Sequence, residues 1–444
     1  MIIIFVCIFS NLIFIKSRIN IPINYKLEKI YNKSDIKSIF NSYQNGQLEA
    51  QLNVGSNQIK INFRLTFDYF STTVANASMD ELNLIYNINN SYTHEINETR
   101  ITLINEPIKY TYLSSDIFQF NENNKQKIKF FLGIKTESDY NFKYQGVIGL
   151  GVNNVEDYDY REYNFINQLK NSKIINDYAL TFSKINNEEF LIIGDYPDIY
   201  EPNLFSLENR VDVFTTNLYY SQFKYYLLIN NIITDNQIME TEKNIVFDLS
   251  SYFIEASYKY KDFIDKNFFE QYMNLQNPKC NLGIGNHLEY FYYCDKDINI
   301  TKIPNLIFQI NTYNLNVTLN AYNLFELIED KLFFIVIFKS KSPLFWKIGY
   351  QGIKKMNMTF NQDGKTISFY KANGNKGNGT GDNKLGTKTL LIILISLAVV
   401  FIILLVGFIL YYIKNKKKKK KANELDDDFI YQSKEEDKLG INTN

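Results

Sequence analysis

Two aspartates in this 444-residue chain follow the same local pattern and could share one chemical task. Ile61–Ser71 reads INFRLTFDYFS and Asn244–Ser251 reads NIVFDLSS, so Asp68 and Asp248 each end an apolar run and precede a serine by three positions. Where two carboxylates meet, repulsion keeps one protonated while the other ionises. Such a pair can act as acid and base on one water, although an aspartate after an apolar run is also a common turn residue.

The elements that must position these aspartates are mainly strands. Short apolar or alternating runs, rich in β-branched and aromatic residues, are separated by Asn, Ser, Asp and Gly, and this pattern predicts strands. They are Gln58–Phe67, Ile101–Ile104, Lys127–Ile134, Tyr178–Phe182, Phe190–Ile193, Asn244–Phe247, Asn305–Ile310 and Leu332–Phe338. Asn164–Ile174 and Lys259–Leu275 show the helical period. The sequence therefore predicts a mostly β body with a few helices and, from the repeated aspartate pattern, two similar lobes facing one cleft.

Further motifs follow one another in a recognisable order. They are LEAQLNVGSNQ (Leu48–Gln58), YQGVIGLG (Tyr144–Gly151), FINQLKNSKII (Phe165–Ile175), YALTFS (Tyr178–Ser183), FLIIGD (Phe190–Asp195), IPNLIF (Ile303–Phe308), WKIG (Trp346–Gly349) and TISF (Thr366–Phe369). In order and spacing these segments resemble the pepsin-like aspartic protease family, peptidase family A1. The resemblance covers residues 47–371.

This resemblance implies a bilobed pepsin-like acid protease fold, with an N-terminal β lobe at 47–205 and a C-terminal β lobe at 206–371. It implies that Asp68 and Asp248 form the catalytic dyad of an aspartic endopeptidase, supported by the hydroxyls of Ser71 and Ser251. The substrate would be an extended peptide or protein lying in the interlobe cleft, and the molecule would be a monomer that needs no cofactor and no metal.

The sequence also departs from the family at both aspartates. The two positions after each aspartate, normally a small hydroxyl residue and glycine, are Tyr69-Phe70 and Leu249-Ser250. The region equivalent to the family's hairpin lid, Ile101–Tyr112, contains Pro107 and no glycine; Tyr110 and Tyr112 are the candidates for its tyrosine. A second hypothesis is therefore a catalytically inactive pseudoprotease that acts as a surface binding or adhesion module.

Cysteine and histidine usage narrows the remaining chemistry. Cys7 lies in the predicted signal peptide. This leaves Cys280 and Cys294 as an even pair in the oxidising compartment that a signal peptide implies, and the pair predicts a disulfide. His94 and His287 stand alone, so neither zinc binding nor a Ser-His-Asp arrangement is indicated. The formal net charge is zero, which gives no indication of nucleic-acid binding.

The N-terminal region predicts entry into the secretory pathway. Residues 1–17 begin with an apolar stretch too short to span a membrane comfortably, which is typical of a signal peptide, although an uncleaved signal anchor stays open. Residues 18–46 could be a short pro-segment whose cations cover an acidic cleft, or a solvated basic stretch. The cations concerned are Lys26, Lys29, Lys33 and Lys37.

The C-terminal region predicts a membrane anchor. Residues 389–413 carry no charge over about 25 positions, which is long enough to cross a bilayer as a helix, and a run of lysines follows directly. Residues 372–388 are rich in Gly and Asn and predict a flexible stalk, and 414–444 a cytoplasmic tail. The expected topology is single-pass type I at the cell surface or an endolysosomal membrane, with the body extracellular or luminal.

Asn-x-Ser/Thr sequons in the part preceding this span predict a glycoprotein. They lie at Asn32, Asn76, Asn89, Asn97, Asn299, Asn316, Asn357 and Asn378.

Overall fold

Apolar residues alternate with polar ones along much of the chain, and these stretches form the strands of a mostly β protein, as predicted. In the segment before Asp68, for example, Ile61, Phe63 and Leu65 are buried while Lys60 is exposed. The structure is a computed structural model. It describes residues 18–27, 34–75, 91–102, 110–121, 124–133, 145–152, 161–216, 223–234, 237–340, 345–371, 411 and 413–414.

The described residues form 24 strands. The first twelve are β1 (Ile19–Lys26), β2 (Gln47–Val54), β3 (Ile59–Thr66), β4 (Thr72–Ala75), β5 (Glu95–Thr102), β6 (Tyr110–Gln119), β7 (Lys125–Gly133), β8 (Gly146–Gly149), β9 (Ala179–Ile185), β10 (Glu188–Ile193), β11 (Arg210–Phe214) and β12 (Tyr226–Thr234). The others are β13 (Gln237–Phe247), β14 (Ile254–Ser257), β15 (Cys280–Ile284), β16 (Glu289–Asp295), β17 (Leu306–Ile310), β18 (Leu315–Leu319), β19 (Phe325–Ile328), β20 (Lys331–Phe334), β21 (Val336–Lys339), β22 (Trp346–Ile348), β23 (Thr359–Asn361) and β24 (Thr366–Tyr370).

Helices are short and connect the strands. They are α1 (Ile36–Gln44), α2 (Phe165–Asn171), α3 (Pro197–Tyr200), α4 (Lys261–Ile264), α5 (Glu270–Met273), α6 (Ala321–Leu324) and α7 (Tyr350–Lys355), with a π-helical turn at Asp265–Phe269 and 3₁₀ turns at Arg161–Tyr163, Leu207–Asn209, Tyr258–Tyr260, Ile300–Lys302 and Asn311–Tyr313. Both helical predictions are confirmed: α2 is N-capped by Asn164, and α4 and α5 flank the π turn.

Two large sheets contain these strands. The first has thirteen strands in the order β11-β24-β23-β9-β10-β1-β2-β3-β8-β4-β7-β6-β5, and β2 also pairs with β6. The second has eleven strands: ten run in the order β18-β17-β12-β13-β22-β14-β21-β16-β20-β19, and β15 pairs with β16. Strands β11, β23 and β24, which belong to the predicted C-terminal lobe, join the first sheet.

The repeated aspartate pattern of the sequence is also a repeat of strand arrangement. In the first sheet, β8 runs parallel to β3 and antiparallel to β4, and β4 runs parallel to β7. In the second sheet, β22 runs parallel to β13 and antiparallel to β14, and β14 runs parallel to β21. The turn that carries Asp68 therefore joins β3 and β4, which flank β8. The turn that carries Asp248 joins β13 and β14, which flank β22.

A glycine ends the equivalent strand segment in each sheet. A Cβ atom at Gly149 would lie 2.6 Å from the Tyr69 carbonyl oxygen, and one at Gly349 would lie 2.1 Å from the Phe253 carbonyl oxygen. Only a residue without a side chain lets the aspartate turns approach these strands so closely. The two glycines thus fix both turns against their sheets.

Contacts divide the chain into Met1–Asn373 and Gly374–Asn444. In the second unit only residues 411 and 413–414 are described, and they are helical. Within the described residues, no helix is long and apolar enough to cross a membrane. The predicted signal peptide (1–17), stalk (372–388), tail beyond 414 and nearly all of the predicted span (389–413) lie outside the described residues, as do Asn32, Asn76, Asn89 and Asn378.

Candidate active site and the lysine between its aspartates

Both predicted aspartates stand at the ends of buried strands. Asp248 follows β13 directly, and Asp68 lies two residues beyond the end of β3. The residues immediately before them, Phe247 and Phe67, are fully buried, so each aspartate is held at a fixed point by the sheet behind it.

A lysine joins the two carboxylates. Lys224 Nζ lies 2.7 Å from Asp68 Oδ1 and 2.8 Å from Asp248 Oδ2. Because both distances end on one nitrogen, the two oxygens cannot lie more than about 5.5 Å apart. The structure therefore brings Asp68 and Asp248 together, within the range in which two carboxylates could contact one small group.

Asp68 is held by a hydroxyl on the strand that precedes it. Thr66 Oγ1 donates to Asp68 Oδ2 at 2.9 Å and accepts the Asp68 backbone N–H at 3.0 Å. The Arg64 guanidinium lies 4.0 Å from the same Oδ2. The Asp68 side chain is 28% exposed, so this carboxylate keeps contact with solvent.

Asp248 is far more enclosed, with 2% of its side chain exposed. Its Oδ1 accepts the Ser250 backbone N–H at 2.8 Å and the Ser250 hydroxyl at 2.6 Å, and Lys347 Nζ lies 3.4 Å from Oδ2. Burial by itself would raise the pKa of this carboxyl. The charges of Lys224 and Lys347, with the hydrogen bonds, outweigh burial and hold the pKa of Asp248 well below its usual range.

Lys224 is fixed by its neighbours along the chain. Phe223 and Tyr225 are buried, and Tyr225 packs edge-on against Phe67 at 5.1 Å between ring centroids. Burial by itself would lower the pKa of Lys224, but the charges of Asp248 and Asp68 reverse this and raise it well above its usual range. The lysine is therefore a permanent cation at neutral and acid pH.

One of the departures noted in the sequence takes part in this arrangement. Phe70, which stands where the family has glycine, is buried and stacks on Phe223 at 6.3 Å between centroids and 17° between planes. The Asn164 side chain donates to the Phe70 carbonyl at 2.7 Å. Phe70 thus supports the residue that precedes Lys224.

The support that the resemblance implies for Ser71 and Ser251 stays a prediction, and the structure gives the surroundings of both hydroxyls. The buried Ser71 hydroxyl has no hydrogen-bond partner within the described part of the chain, and the Ser251 hydroxyl donates to the Phe253 carbonyl at 3.0 Å. The Thr66 and Ser250 hydroxyls donate hydrogen bonds to the carboxylates. The hydroxyls that orient the aspartates therefore come from positions two residues before Asp68 and two after Asp248.

A second group of charges extends from Asp248 along the second sheet. Lys347 also lies 3.5 Å from Glu255, a buried residue that contacts Lys339 at 2.9 Å. Burial by itself would raise the pKa of Glu255, but these two lysines lower it below its usual value. Gln44 of α1 donates to the same Glu255 carboxylate at 3.1 Å, which places α1 beside the site.

Neither of the two described lysines of residues 18–46 is paired with the aspartates. Lys26 lies 3.2 Å from Glu49, and Lys37 is exposed, while Lys29 and Lys33 lie outside the described residues. Lys224 carries no signal in the sequence, because it is a single lysine whose two partners lie 156 and 24 positions away. Only the meeting of the two turns makes it part of the site.

The hairpin expected at Ile101–Tyr112 is present in part. Strands β5 and β6 pair antiparallel, with Thr102 opposite Tyr110 and Arg100 opposite Tyr112, and residues 103–109 between them lie outside the described residues. Pro107 belongs to that undescribed segment.

The predicted disulfide is confirmed. Cys280 and Cys294 lie opposite each other on β15 and β16 and are joined by a disulfide, with their Cα atoms 4.0 Å apart. Among the sequons, Asn97, Asn299, Asn316 and Asn357 are all exposed.

Scans against protein-family models and curated proteins found no match to this chain.

Proposed function

We propose that this chain is a pepsin-like, membrane-anchored protein whose aspartate pair is neutralised by its own lysine, so that it works as a binding module rather than as a protease. The observation that carries the proposal is the pair of contacts from Lys224 Nζ to both carboxylates. The pepsin-like assignment is supported by the repeated strand arrangement around the two aspartates.

The position of the lysine conflicts with the two-aspartate mechanism. That mechanism needs a water between the carboxylates and one proton shared by them. Here the Lys224 ammonium group contacts both carboxylates, and its charge helps to hold the pKa of Asp248 below its usual range. The two aspartates therefore pair with a cation where that mechanism needs a water.

Acid does not reverse this state. A carboxyl whose pKa is lowered in the folded protein stays ionised until the pH falls through that lowered value. The acid range in which an aspartate dyad would share a proton therefore leaves Asp248 charged and paired with Lys224. Phe70 supports this interpretation, because it contributes a contact to the lysine's neighbour Phe223 where a glycine would contribute none.

The proposed partner is a peptide or protein segment held between the lobes, and the proposed location is the cell surface or an endolysosomal membrane with the body outside the cytosol. The second candidate, an active membrane-anchored endopeptidase, is favoured by one observation: the two carboxylates still converge on a single point. That activity would require Lys224 to leave the pair.

The two candidates differ in one assay. Full-length protein in detergent is incubated with unfolded casein between about pH 3 and pH 6, with and without pepstatin, alongside Asp248→Asn. We expect no cleavage above the level of Asp248→Asn at any pH. Pepstatin-sensitive cleavage by the wild type that is lost in Asp248→Asn would overturn the proposal and establish the endopeptidase.

A further inference from the structure

The N-terminal segment contains β1 (Ile19–Lys26) and α1 (Ile36–Gln44), and β1 is a strand of the first sheet. The first half of β1 pairs with β10, from Ile19 opposite Ile193, and its second half pairs with β2, from Ile23 opposite Ala50. Among the described strands, β1 is the connection between the five strands on one side and the seven on the other. Ile19 and Ile21 are fully buried, so the strand also belongs to the core.

The helix of this segment packs beside the candidate site. Phe40 is fully buried and stacks on Phe291 at 3.9 Å and on Phe253 at 5.2 Å between centroids. Tyr43 packs edge-on against Tyr252 at 4.8 Å. Tyr252 and Phe253 follow Asp248 by four and five positions, so α1 covers the turn that carries this aspartate.

Polar contacts hold the helix in the same place. Besides the bond from Gln44 to Glu255, the Asn286 backbone N–H donates to the Asn41 side chain at 3.1 Å. Asp35 caps the helix by accepting the Lys37 backbone N–H. The helix is therefore fixed at its start by its own cap and along its length by the second sheet.

If β1 were removed, the described residues between it and β2 contain no other strand to take its place. Only Asn45 and Gly46 lie between the end of α1 and the start of β2. A cut there would leave a new N-terminus directly at β2, with no chain before it to pair with β10 or to cover the buried isoleucines. The edges exposed in this way would be unpaired and apolar.

We infer that β1 and α1 are a permanent part of the folded molecule and that α1 forms one wall of the candidate site. They are not a pro-segment that is released. This inference does not rest on the proposed lack of catalysis, because a protease with a permanent wall would carry the same segment. Because α1 closes one side of the candidate site, a ligand would have to enter from the other sides.

The first test is the N-terminus of the mature chain. Full-length protein is purified from the membranes of expressing cells and its N-terminus sequenced. We expect the chain to begin before Ile19. A mature N-terminus at or after Gly46, in protein that keeps its folded fluorescence, overturns the inference.

A second test nicks the folded protein. A site-specific protease sequence is placed in the connection between Leu27 and Ser34, and the folded full-length protein is cut there. We expect the peptide containing β1 to stay bound through size-exclusion chromatography and to leave only in denaturant. Release in native buffer, with the remainder unchanged in its melting temperature, contradicts the inference.

A matched pair of substitutions on α1 needs no cut. Phe40→Ala removes a buried ring and should lower the melting temperature of the body by several degrees, whereas Lys37→Ala removes an exposed side chain of the same helix and should leave it unchanged. Equal melting temperatures for the two variants would show that α1 is a detachable addition.

Discussion

Replacing Lys224 by methionine tests the arrangement on which the proposed function depends. The substitution keeps a long, unbranched side chain and removes the charge that Asp68 and Asp248 share. Asp248 then keeps Lys347 and Ser250 as partners, while a second carboxylate lies at most about 5.5 Å away.

The magnitude follows from this geometry. Two carboxylates about 5.5 Å apart repel by about 3 kcal/mol at the effective dielectric constant of about 20 that suits protein sites. Removing one partner of a buried ion pair typically costs about 3 to 5 kcal/mol. Because Asp68 is partly exposed and Lys347 remains, we expect the lower end, a loss of about 3 kcal/mol in the free energy of unfolding at pH 7.

The assay is urea unfolding followed by the fluorescence of Trp346, the only tryptophan in the chain. Its ring is 1% exposed and it precedes Lys347 in β22, so its emission reports on the site itself. The control is Lys331→Met, which removes a partly exposed lysine that contacts Asp295 at 2.8 Å and should cost less than about 1 kcal/mol.

The pH dependence of the stability lost in Lys224→Met is a second test of the same reasoning. The folded pKa of Asp248 is lowered, so the stability that its pairing contributes is present above its ordinary value of 3.8 and is lost only as the pH falls through the lowered value. Without Lys224 the carboxylate can protonate more readily, and the deficit of Lys224→Met should shrink as the pH falls from 7 towards 4. A deficit below about 1 kcal/mol at pH 7, or one independent of pH, refutes the reasoning.

The remaining predictions concern the contacts of Lys224 with the two aspartates, the disulfide and Gly349. The double variant Lys224→Met/Asp248→Asn should recover most of the stability lost in Lys224→Met, because the uncompensated buried charge is gone; no recovery in the urea assay would contradict this. Replacing both Cys280 and Cys294 by alanine opens a loop of 14 residues and should cost about 3 kcal/mol, a loss that reduction of the wild type should reproduce. Gly349→Ala should prevent folding or lower the melting temperature sharply. Gly364→Ala should change the melting temperature little, because the atom nearest to the added Cβ lies 3.2 Å from it.

The sequence predicts much of this fold because local pattern and burial agree. The apolar runs before Asp68 and Asp248 are buried strands, and most of the other predicted runs are strands with boundaries shifted by a few residues. Leu332–Phe338 is divided into β20 and β21 at Ile335, which no local pattern marks. The disulfide follows from the even number of cysteines that remain after the predicted signal peptide.

Two features, Lys224 and strand β1, differ in how much the sequence indicates about them. Lys224 reaches both aspartates because two distant turns meet, and a single lysine among aromatic residues predicts nothing. Strand β1 did leave a signal: Ile19, Ile21 and Ile23 alternate with polar residues or proline, which is the period of a half-buried strand. The lysines of the same segment indicate a basic covering stretch, so two patterns compete in this part of the sequence.

The order of strands in the first sheet has a consequence for synthesis of the chain. Strands β9 and β11, complete by residue 214, pair with β23 and β24, which end at Tyr370. These pairings span about 150 residues or more, and such long-range contacts fold slowly. Until the ribosome has added β23 and β24, the edges of β9 and β11 that pair with them are unpaired and could join another chain. Folding of this sheet is therefore completed only after nearly the whole body has been translated.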